Sequence, residues 1–399
     1  MKQYKIAFLC SHVIQYLDPL FKKVSSHPEI DLTVFYYSKE GLERYKDREF
    51  GVELKWDRKL LDGYKYKFLK NFSPLQRVHN YFKYINIGVV TEIVKGGFDA
   101  VIIYGYGWFI SWAAWVSAVI SGTPIIFLGE TNVLRSKHEN SAKKKIKDKL
   151  LKIFFSRCGS VFYLGKKNRE FYECLGVSSE KLFHWPYTVD NDFFIKNANR
   201  YRSRGDNIKK QYSIPADKVI IFFSGKLIEK KCPLDLIMAY EKMNSRDKVA
   251  LVFAGDGPLR GDMEVYIRTN DLSDVYLLGF LNQTELAKVY AIADIFAFPS
   301  SFEPWGLSLN EAMCYSLPAV VSDEITAGYD LIKDSDNGFI FKSGDIDTLC
   351  DRLENLVRDE ELRKKTGQRS FEIISSWDYK KDIEGLLAAM RHIKEKRGK

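Results

Sequence analysis

The sequence predicts an α/β protein made of two Rossmann-like domains, on three observations. The chain has 399 residues, enough for about two domains. Residues 294–322 (DIFAFPSSFEPWGLSLNEAMCYSLPAVVS) read as strand, loop, helix and strand, a βαβ unit. The chain opens on a similar pattern, with an apolar run at Lys5–Leu9, a polar loop, a helix at Asp18–Ser26 and a β-branched run at Asp31–Tyr37. Parallel units of this kind place ligands where strand C-termini meet helix N-termini.

In the later unit, Asp294–Ser300 is expected as a buried strand, Gly306–Tyr315 as a helix and Pro318–Ser322 as the next strand. The first-turn amides, from Trp305 through Gly306 to Leu307, have no intrahelical acceptor and attract oxygen and negative charge. Glu303 precedes the helix, and Glu311 follows on its side eight residues later. Two carboxylates so placed can accept hydroxyl donors from one elongated, polyol-bearing ligand.

Composition excludes several classes. The chain is 46% hydrophobic and 14% aromatic, which is ample for real cores. Its six cysteines, at 10, 158, 174, 232, 314 and 350, form no C-x-x-C pair, so neither a zinc site nor a disulfide framework is expected, and a reduced compartment is the simpler reading. Met1–Lys5 is polar and Ile6–Leu9 is too short for the apolar core of a signal peptide, so a cytoplasmic location is expected. Ala100–Gly129 contains no charged residue and is long enough to imitate a membrane span. Its glycines, Pro124 and two β-branched runs instead predict strand (Ala100–Tyr104), helix (Trp108–Ile120), turn and strand (Ile125–Leu128).

The first half has no G-x-G-x-x-G after its opening strand, which argues against a dehydrogenase. His12, in the loop Cys10–Gln15, stands where a doubly wound fold places ligands. Residues 38–75 are polar, aromatic and turn-rich, and are expected as an excursion over the first domain, on an acceptor side. Gln76–Val94 has a helical pattern. Gly105-Tyr106-Gly107-Trp108 and Glu130-Thr131-Asn132 follow strand C-termini, so Tyr106, Glu130 and Asn132 are candidates for the acceptor side. Residues 137–157 carry eight Lys/Arg against two acids. Ile146, Leu150, Ile153 and Phe154 recur there at helical spacing, which predicts an amphipathic helix with a cationic face. Such a face suits an anionic membrane surface better than nucleic acid, since no aromatic interleaving accompanies it.

Ser160–Tyr163 (strand), Lys166–Leu175 (helix) and Lys181–Tyr187 complete the first domain. Residues 197–207 are charged and unpatterned and read as a linker. In the second half, strand Val219–Ser224 ends in Gly225-Lys226. Lys230-Lys231 follow, and Pro233 opens a helix at its first position. Val249–Ala254 is a strand ending in Gly255-Asp256-Gly257-Pro258, which lacks the G-K-[ST] of a Walker loop. Strand Val275–Leu278, with Gly279-Phe280 behind it, helix Gln283–Ala291, a helical 346–370 and a final helix Trp377–Lys396 close the chain.

The order of strand, Glu303-Pro304, glycine turn and Glu311-Ala312, with Gly225-Lys226…Lys231 upstream, resembles the E-x7-E and G-[RK]-L…K motifs of nucleotide-sugar-dependent glycosyltransferases of the GT-B fold, in particular the retaining family 4. Ser11-His12…Gln15-Tyr16…Pro19-Leu20 resembles a bacterial subgroup of it. The resemblance implies two Rossmann-like domains with an interdomain cleft, an acceptor-binding domain at 1–195 with residues 376–399 crossing back onto it, and a donor-binding domain at 206–375. It also implies roles. Glu303, Lys226, Lys231 and His12 would be catalytic. Glu311, Trp305, Gly306, Leu307, Gly225 and Phe280 would hold the donor, Glu311 at the ribose and Phe280 at the base. Many family members carry a histidine near Gly105-Tyr106-Gly107-Trp108 that contacts the donor sugar, where this chain has tyrosines instead. Asp256-Gly257 and Asp334-Ser335-Asp336 are isolated or turn-like and do not read as a metal-binding D-x-D motif, so no metal or other cofactor is expected, the lysines and helix amides taking its place.

The implied function is a retaining hexosyl transfer from a nucleotide sugar, UDP-linked in preference to GDP-linked, to a carbohydrate or lipid-linked hydroxyl. The setting would be polysaccharide or glycolipid synthesis, at the inner membrane surface. The alternatives are a glycosyltransferase that modifies DNA bases, an epimerase or hydrolase of the same fold, and a non-catalytic binder of nucleotide sugars.

Overall fold

A computed structural model describes residues 3–398 except 43, 44, 47–52, 55, 77, 79 and 135–141. The chain divides into two units, one of Met1–Glu43, Lys59–Tyr187 and Tyr379–Lys399, the other of Arg44–Arg58 and Thr188–Asp378.

The first unit is built on a parallel sheet. Its strands are β1 (Tyr4–Cys10), β2 (Ile30–Tyr36), β5 (Lys65–Phe68), β6 (Ala100–Tyr104), β7 (Ile125–Leu128), β8 (Ser160–Tyr163) and β9 (Leu182–His184); the short pair β3 (Tyr45–Lys46) and β4 (Glu53–Leu54) is antiparallel and lies outside this sheet. The spatial order is β5-β2-β1-β6-β7-β8-β9. The order reverses between β1 and β6, whose Ile6–Leu9 pair with Ala100–Ile103. Alternate strand residues such as Ala7, Leu9, Val101, Ile103, Ile125 and Phe127 enter one core, as the period of two requires. Helices Gly88–Lys95, Phe109–Ser121 and Ala142–Ser156 cover that face. The last helix, Tyr379–Arg397, packs on β8 and β9 and buries Ile383, Leu386 and Met390.

The second unit has a six-stranded parallel sheet of β10 (Val219–Ser224), β11 (Val249–Ala254), β12 (Val275–Leu277), β13 (Ile295–Phe298), β14 (Ala319–Ser322) and β15 (Gly338–Phe341), in the order β12-β11-β10-β13-β14-β15. Here the reversal falls between β10 and β13, where Ile221 and Phe222 pair with Ile295 and Phe296. Strands β10, β11 and β14 are wholly buried apart from Val219, as expected for a sheet covered on both faces. Ala100–Gly129 folds as strand, helix and strand, and among the described residues no helix is long and apolar enough to cross a membrane.

Four expectations need correction. The helical pattern at Gln76–Val94 yields, among the described residues, a helix only from Gly88 to Lys95. Before it, side chains capture the backbone: Asn71 Oδ1 accepts from the amides of Ser73 (3.1 Å) and Ile85 (2.9 Å), and Asn86 Nδ2 donates to the carbonyls of Tyr37 and Leu69. Such bonds compete with helix. Residues 197–207 are no linker, because helices Asn191–Arg202 and Gly205–Gln211 occupy most of them, with Phe194, Ala198 and Tyr201 buried at spacings of four and three.

The excursion 38–75 does not stay with the first unit. It supplies the edge strand β5 there, but Arg44–Arg58 belongs to the second unit, where Arg58 pairs with Asp190 at 2.7 Å and stacks on Phe193. Finally, 346–370 is two helices, Ile346–Arg358 and Glu360–Ser375, broken at Asp359, whose carboxylate caps the second by accepting from the Leu362 amide at 2.8 Å. Of the basic stretch 137–157, residues 137–141 lie outside the described residues.

Candidate active site

In the second unit the loops after β10 and β13 leave the sheet side by side at the reversal point, where neighbouring loops diverge and open a crevice. Gly225 and Lys226 follow β10 directly, and Lys231 lies just before the helix Pro233–Lys242. Glu303 follows β13. One backbone contact holds these loops together, the Ser301 amide donating to the Lys230 carbonyl at 2.9 Å, while the Glu303 amide ties its loop to the one after β14 by donating to the Glu324 carbonyl at 3.0 Å. Lys231 Nζ forms an ion pair with Glu303 Oε1, with only 15% and 9% of the two side chains exposed. The same ammonium lies 5.1 Å from the Phe298 ring centroid. Lys226 is half-buried, whereas Lys230 is exposed.

Glycines fix the backbone around the lysines. A Cβ on Gly255 would stand 1.8 Å from the Gly225 carbonyl oxygen. The β10 and β11 loops therefore touch at the backbone, joined by the Gly225 amide donating to the Ala254 carbonyl at 3.0 Å. The β12 loop joins them through the Gly255 amide and the Gly279 carbonyl, at 2.8 Å. Gly306 turns the chain into helix Leu307–Cys314 at φ +105°, and a Cβ there would meet Phe298 at 2.7 Å. Only glycine is at ease there.

Trp305 is buried, its indole stacked on Trp377 and donating to Asn310 Oδ1 at 2.9 Å. Its side chain anchors the loop, so the first-turn backbone of Trp305, Gly306 and Leu307 is what remains for a ligand. Glu311 is half-buried on that helix and accepts from Tyr290 Oη at 2.9 Å. Burial pushes its carboxyl up to about 7, an effect the Tyr290 hydrogen bond partly offsets. Phe280, after β12, meets the ring of Trp56 edge-on at a centroid distance of 6.2 Å.

The first unit gathers its own candidates at its reversal point. His12 follows β1, with Nδ1 2.9 Å from Ser11 Oγ. Burial holds its imidazole below the ordinary value, with Glu40 opposing and Lys83 adding to the effect. Glu130 follows β7 and is half-buried. Tyr104 donates to its Oε1, and Tyr187 does so at 2.8 Å. Tyr16 completes the cluster within hydrogen-bond distance of Tyr187. Burial first, and then Glu130, push the phenols of Tyr104 and Tyr187 well up, so both stay protonated as donors. Tyr106 Oη lies 2.8 Å from Thr131 Oγ1. Asn132 is wholly buried, which leaves Glu130 and Tyr106 as the accessible members of the three.

Sequence reasoning missed Tyr290, Tyr16, Tyr104, Tyr187 and Trp56 as members of these clusters. Tyr104 and Tyr187 had a signal, since both lie at or just beyond strand C-termini; Trp56 had none.

Residues 205–373 match the family model described as Glycosyl transferases group 1. The chain is 29% identical over 207 residues to the sulfoquinovosyl transferase SQD2 of Arabidopsis thaliana, covering 51% of this chain and 38% of that protein. It is 25% identical over 255 residues to the UDP-Gal:alpha-D-GlcNAc-diphosphoundecaprenol alpha-1,3-galactosyltransferase of Escherichia coli, covering 62% and 64%. In each case the match spans less than two thirds of the relative. Among solved structures, HepE of Anabaena in complex with UDP superposes with a TM-score of 0.71 at 15% identity, over 99% of both chains. The fold is that of GT-B glycosyltransferases, two Rossmann-like units with parallel sheets, and its second unit carries the group 1 match.

Proposed function

We propose that this protein is a retaining glycosyltransferase that moves a sugar from a nucleotide sugar, UDP-linked in the first instance, to a hydroxyl of a carbohydrate or lipid-linked acceptor in polysaccharide or glycolipid synthesis. The observation that carries this reading is the Lys231–Glu303 pair beside Lys226 and the Leu307 helix terminus, at the reversal point of the second sheet. The group 1 match and the UDP in the HepE structure support it.

A departing nucleoside diphosphate gains negative charge as the glycosidic bond breaks. Cations and amides aimed at that charge stabilise the transition state more than the ground state. Lys226 and Lys231 supply the cations, and the first-turn amides of the helix that starts at Leu307 supply fixed donors. Drawing Lys231 toward phosphate loosens its hold on Glu303, whose carboxylate then accepts from sugar hydroxyls. Glu311 accepts from the ribose, oriented by Tyr290. In this reading the two lysines do the work of a metal. The acceptor lies with the first unit, at His12, Tyr106 and Glu130, and the enzyme works at the cytoplasmic membrane surface.

The experiment is a panel of nucleotide sugars scored by thermal stabilisation and by release of free nucleotide with and without acceptor extracts. A ligand at about 100 times its Kd adds ~2.7 kcal/mol to stability. Stabilisation by a UDP-sugar, with nucleotide release that depends on acceptor, is expected. Stabilisation without release would favour a binder, and release without acceptor a hydrolase or epimerase.

A further inference from the structure

Seventeen large apolar side chains are exposed among the described residues, and all but Val265 lie between Tyr66 and Ile153. The second unit, with the same kind of fold, is an internal control: apart from Val265, the large apolar residues of its described helices are not exposed. The exposed residues concentrate on the helix layer covering one face of the first sheet.

That layer is apolar on both sides. In helix Phe109–Ser121, Ile110, Ala114 and Ala118 face the core, while Val116, Val119 and Ile120 form a second stripe outward, with Ile120 79% exposed. In helix Ala142–Ser156 the core takes Leu151, Phe154 and Phe155. Of the four apolar residues that recur there at helical spacing only Phe154 is buried, and Ile146, Leu150 and Ile153 face solvent at 64%, 49% and 50%. The two helices are adjacent, since Trp115 Nε1 donates to the Phe154 carbonyl at 3.1 Å and Trp112 meets the Phe154 ring. The Phe109 ring meets Tyr81 and Phe82, extending the surface toward helix Gly88–Lys95, where Val90 and Val94 are exposed one turn apart.

Cations border the outward stripe. Lys145, Lys149 and Lys152 are exposed on helix Ala142–Ser156, whose single acid is Asp148. An outward apolar stripe edged by lysines is the pattern of a helix lying in a membrane interface. Apolar side chains enter the acyl boundary and ammonium groups reach back to lipid phosphates. Charge selects this occupant. A second copy would bring its own lysines against these, and a nucleic acid would leave the apolar stripes in water.

We propose that this layer of the first unit inserts shallowly into an anionic bilayer, with the stripes Val116–Ile120 and Ile146–Ile153 as the inserting edge and Lys145, Lys149 and Lys152 on the phosphates. The purpose, presenting the site to a lipid-linked acceptor, rests on the proposed function; the binding itself does not. Insertion goes beyond electrostatic docking and differs from it in one measurable respect. Attraction between exposed charges is screened by salt, whereas apolar burial is not.

The test is co-sedimentation of the full chain with phosphatidylglycerol–phosphatidylcholine vesicles at low and high salt. Strong binding at low salt is expected, with a fraction that persists at high salt. Lys145→Glu, Lys149→Glu and Lys152→Glu together should weaken low-salt binding on the order of a hundredfold. Val116→Asp, Ile120→Asp and Ile153→Asp together should abolish the persistent fraction. These positions are exposed, so unchanged circular dichroism and unchanged stabilisation by donor should accompany the loss, which keeps this result separate from failure of the transferase reading. Absence of vesicle binding at low salt overturns the proposal, as does persistence of the high-salt fraction in the aspartate variant. Binding to duplex DNA in preference to vesicles would also overturn it.

Discussion

Lys231 and Glu303 meet as an ion pair although they lie on loops that follow different strands, β10 and β13. They meet because those strands are neighbours at the reversal point of the sheet. Each half-neutralises the other, so the pair is a balanced site that a diphosphate on one side and a sugar on the other would both disturb.

Glu303→Gln should keep the loop folded and lower kcat by about ten- to a hundredfold, the ~1.5–3 kcal/mol of one charged hydrogen bond. Glu303→Ala should in addition lower Tm, because it leaves the largely buried Lys231 ammonium without its carboxylate. Steady-state transfer assays paired with thermal melts check both. Full kcat in the glutamine variant would remove Glu303 from the reaction.

Replacing Lys226 or Lys231 by Ala should reduce kcat/KM by at least about tenfold, given cations aimed at developing charge. Added Mg²⁺ should not restore it. The decisive measurement uses the wild type: transfer should survive EDTA. Loss with EDTA and recovery with Mg²⁺ would mean that a metal, and not the lysines, carries the diphosphate.

Glu311 should make both stability and donor affinity depend on pH, in opposite directions. Its folded carboxyl keeps a proton up to about pH 7, above the ordinary value of 4.5. Between those values the folded state binds more protons than the unfolded state, so stability falls as pH rises through this window and then levels off. Ionisation makes Glu311 a stronger acceptor for ribose hydroxyls, so donor affinity should rise through pH 7. Glu311→Gln should flatten both profiles, as read by melts and by donor titrations across pH. Unchanged profiles in that variant would place the titration elsewhere.

Gly255→Ala should be the most disruptive of the small substitutions in the second unit. The new methyl would stand 1.8 Å from the Gly225 carbonyl oxygen, and overpacking of this kind costs ~1–3 kcal/mol. The β10 loop would have to move, and Lys226 and Lys231 with it. A drop in Tm together with a raised donor KM is expected, whereas Gly261→Ala, where a Cβ meets nothing within 4 Å, should leave both unchanged.

The sequence by itself determined the strand–helix alternation, the approximate ends of the sheet strands other than β5, β9 and β15, and the loops that carry Lys226, Lys231 and Glu303 and the helix that carries Glu311. These rest on local signals: apolar runs of strand length, glycine and proline at turns, and Pro233 at a helix start. Tertiary structure decided the rest. Strand order brings Lys231 to Glu303 and Tyr290 to Glu311, and no local spacing encodes that order. Asn71 and Asn86 hold Ile85 and Asn86 outside the helix that the periodicity of Gln76–Val94 suggested, through partners distant in sequence. Helix Ala142–Ser156 has two apolar stripes, and periodicity cannot say which one the core accepts. Packing of Phe154 against Trp112 and Trp115 settled that choice and turned Ile146, Leu150 and Ile153 outward.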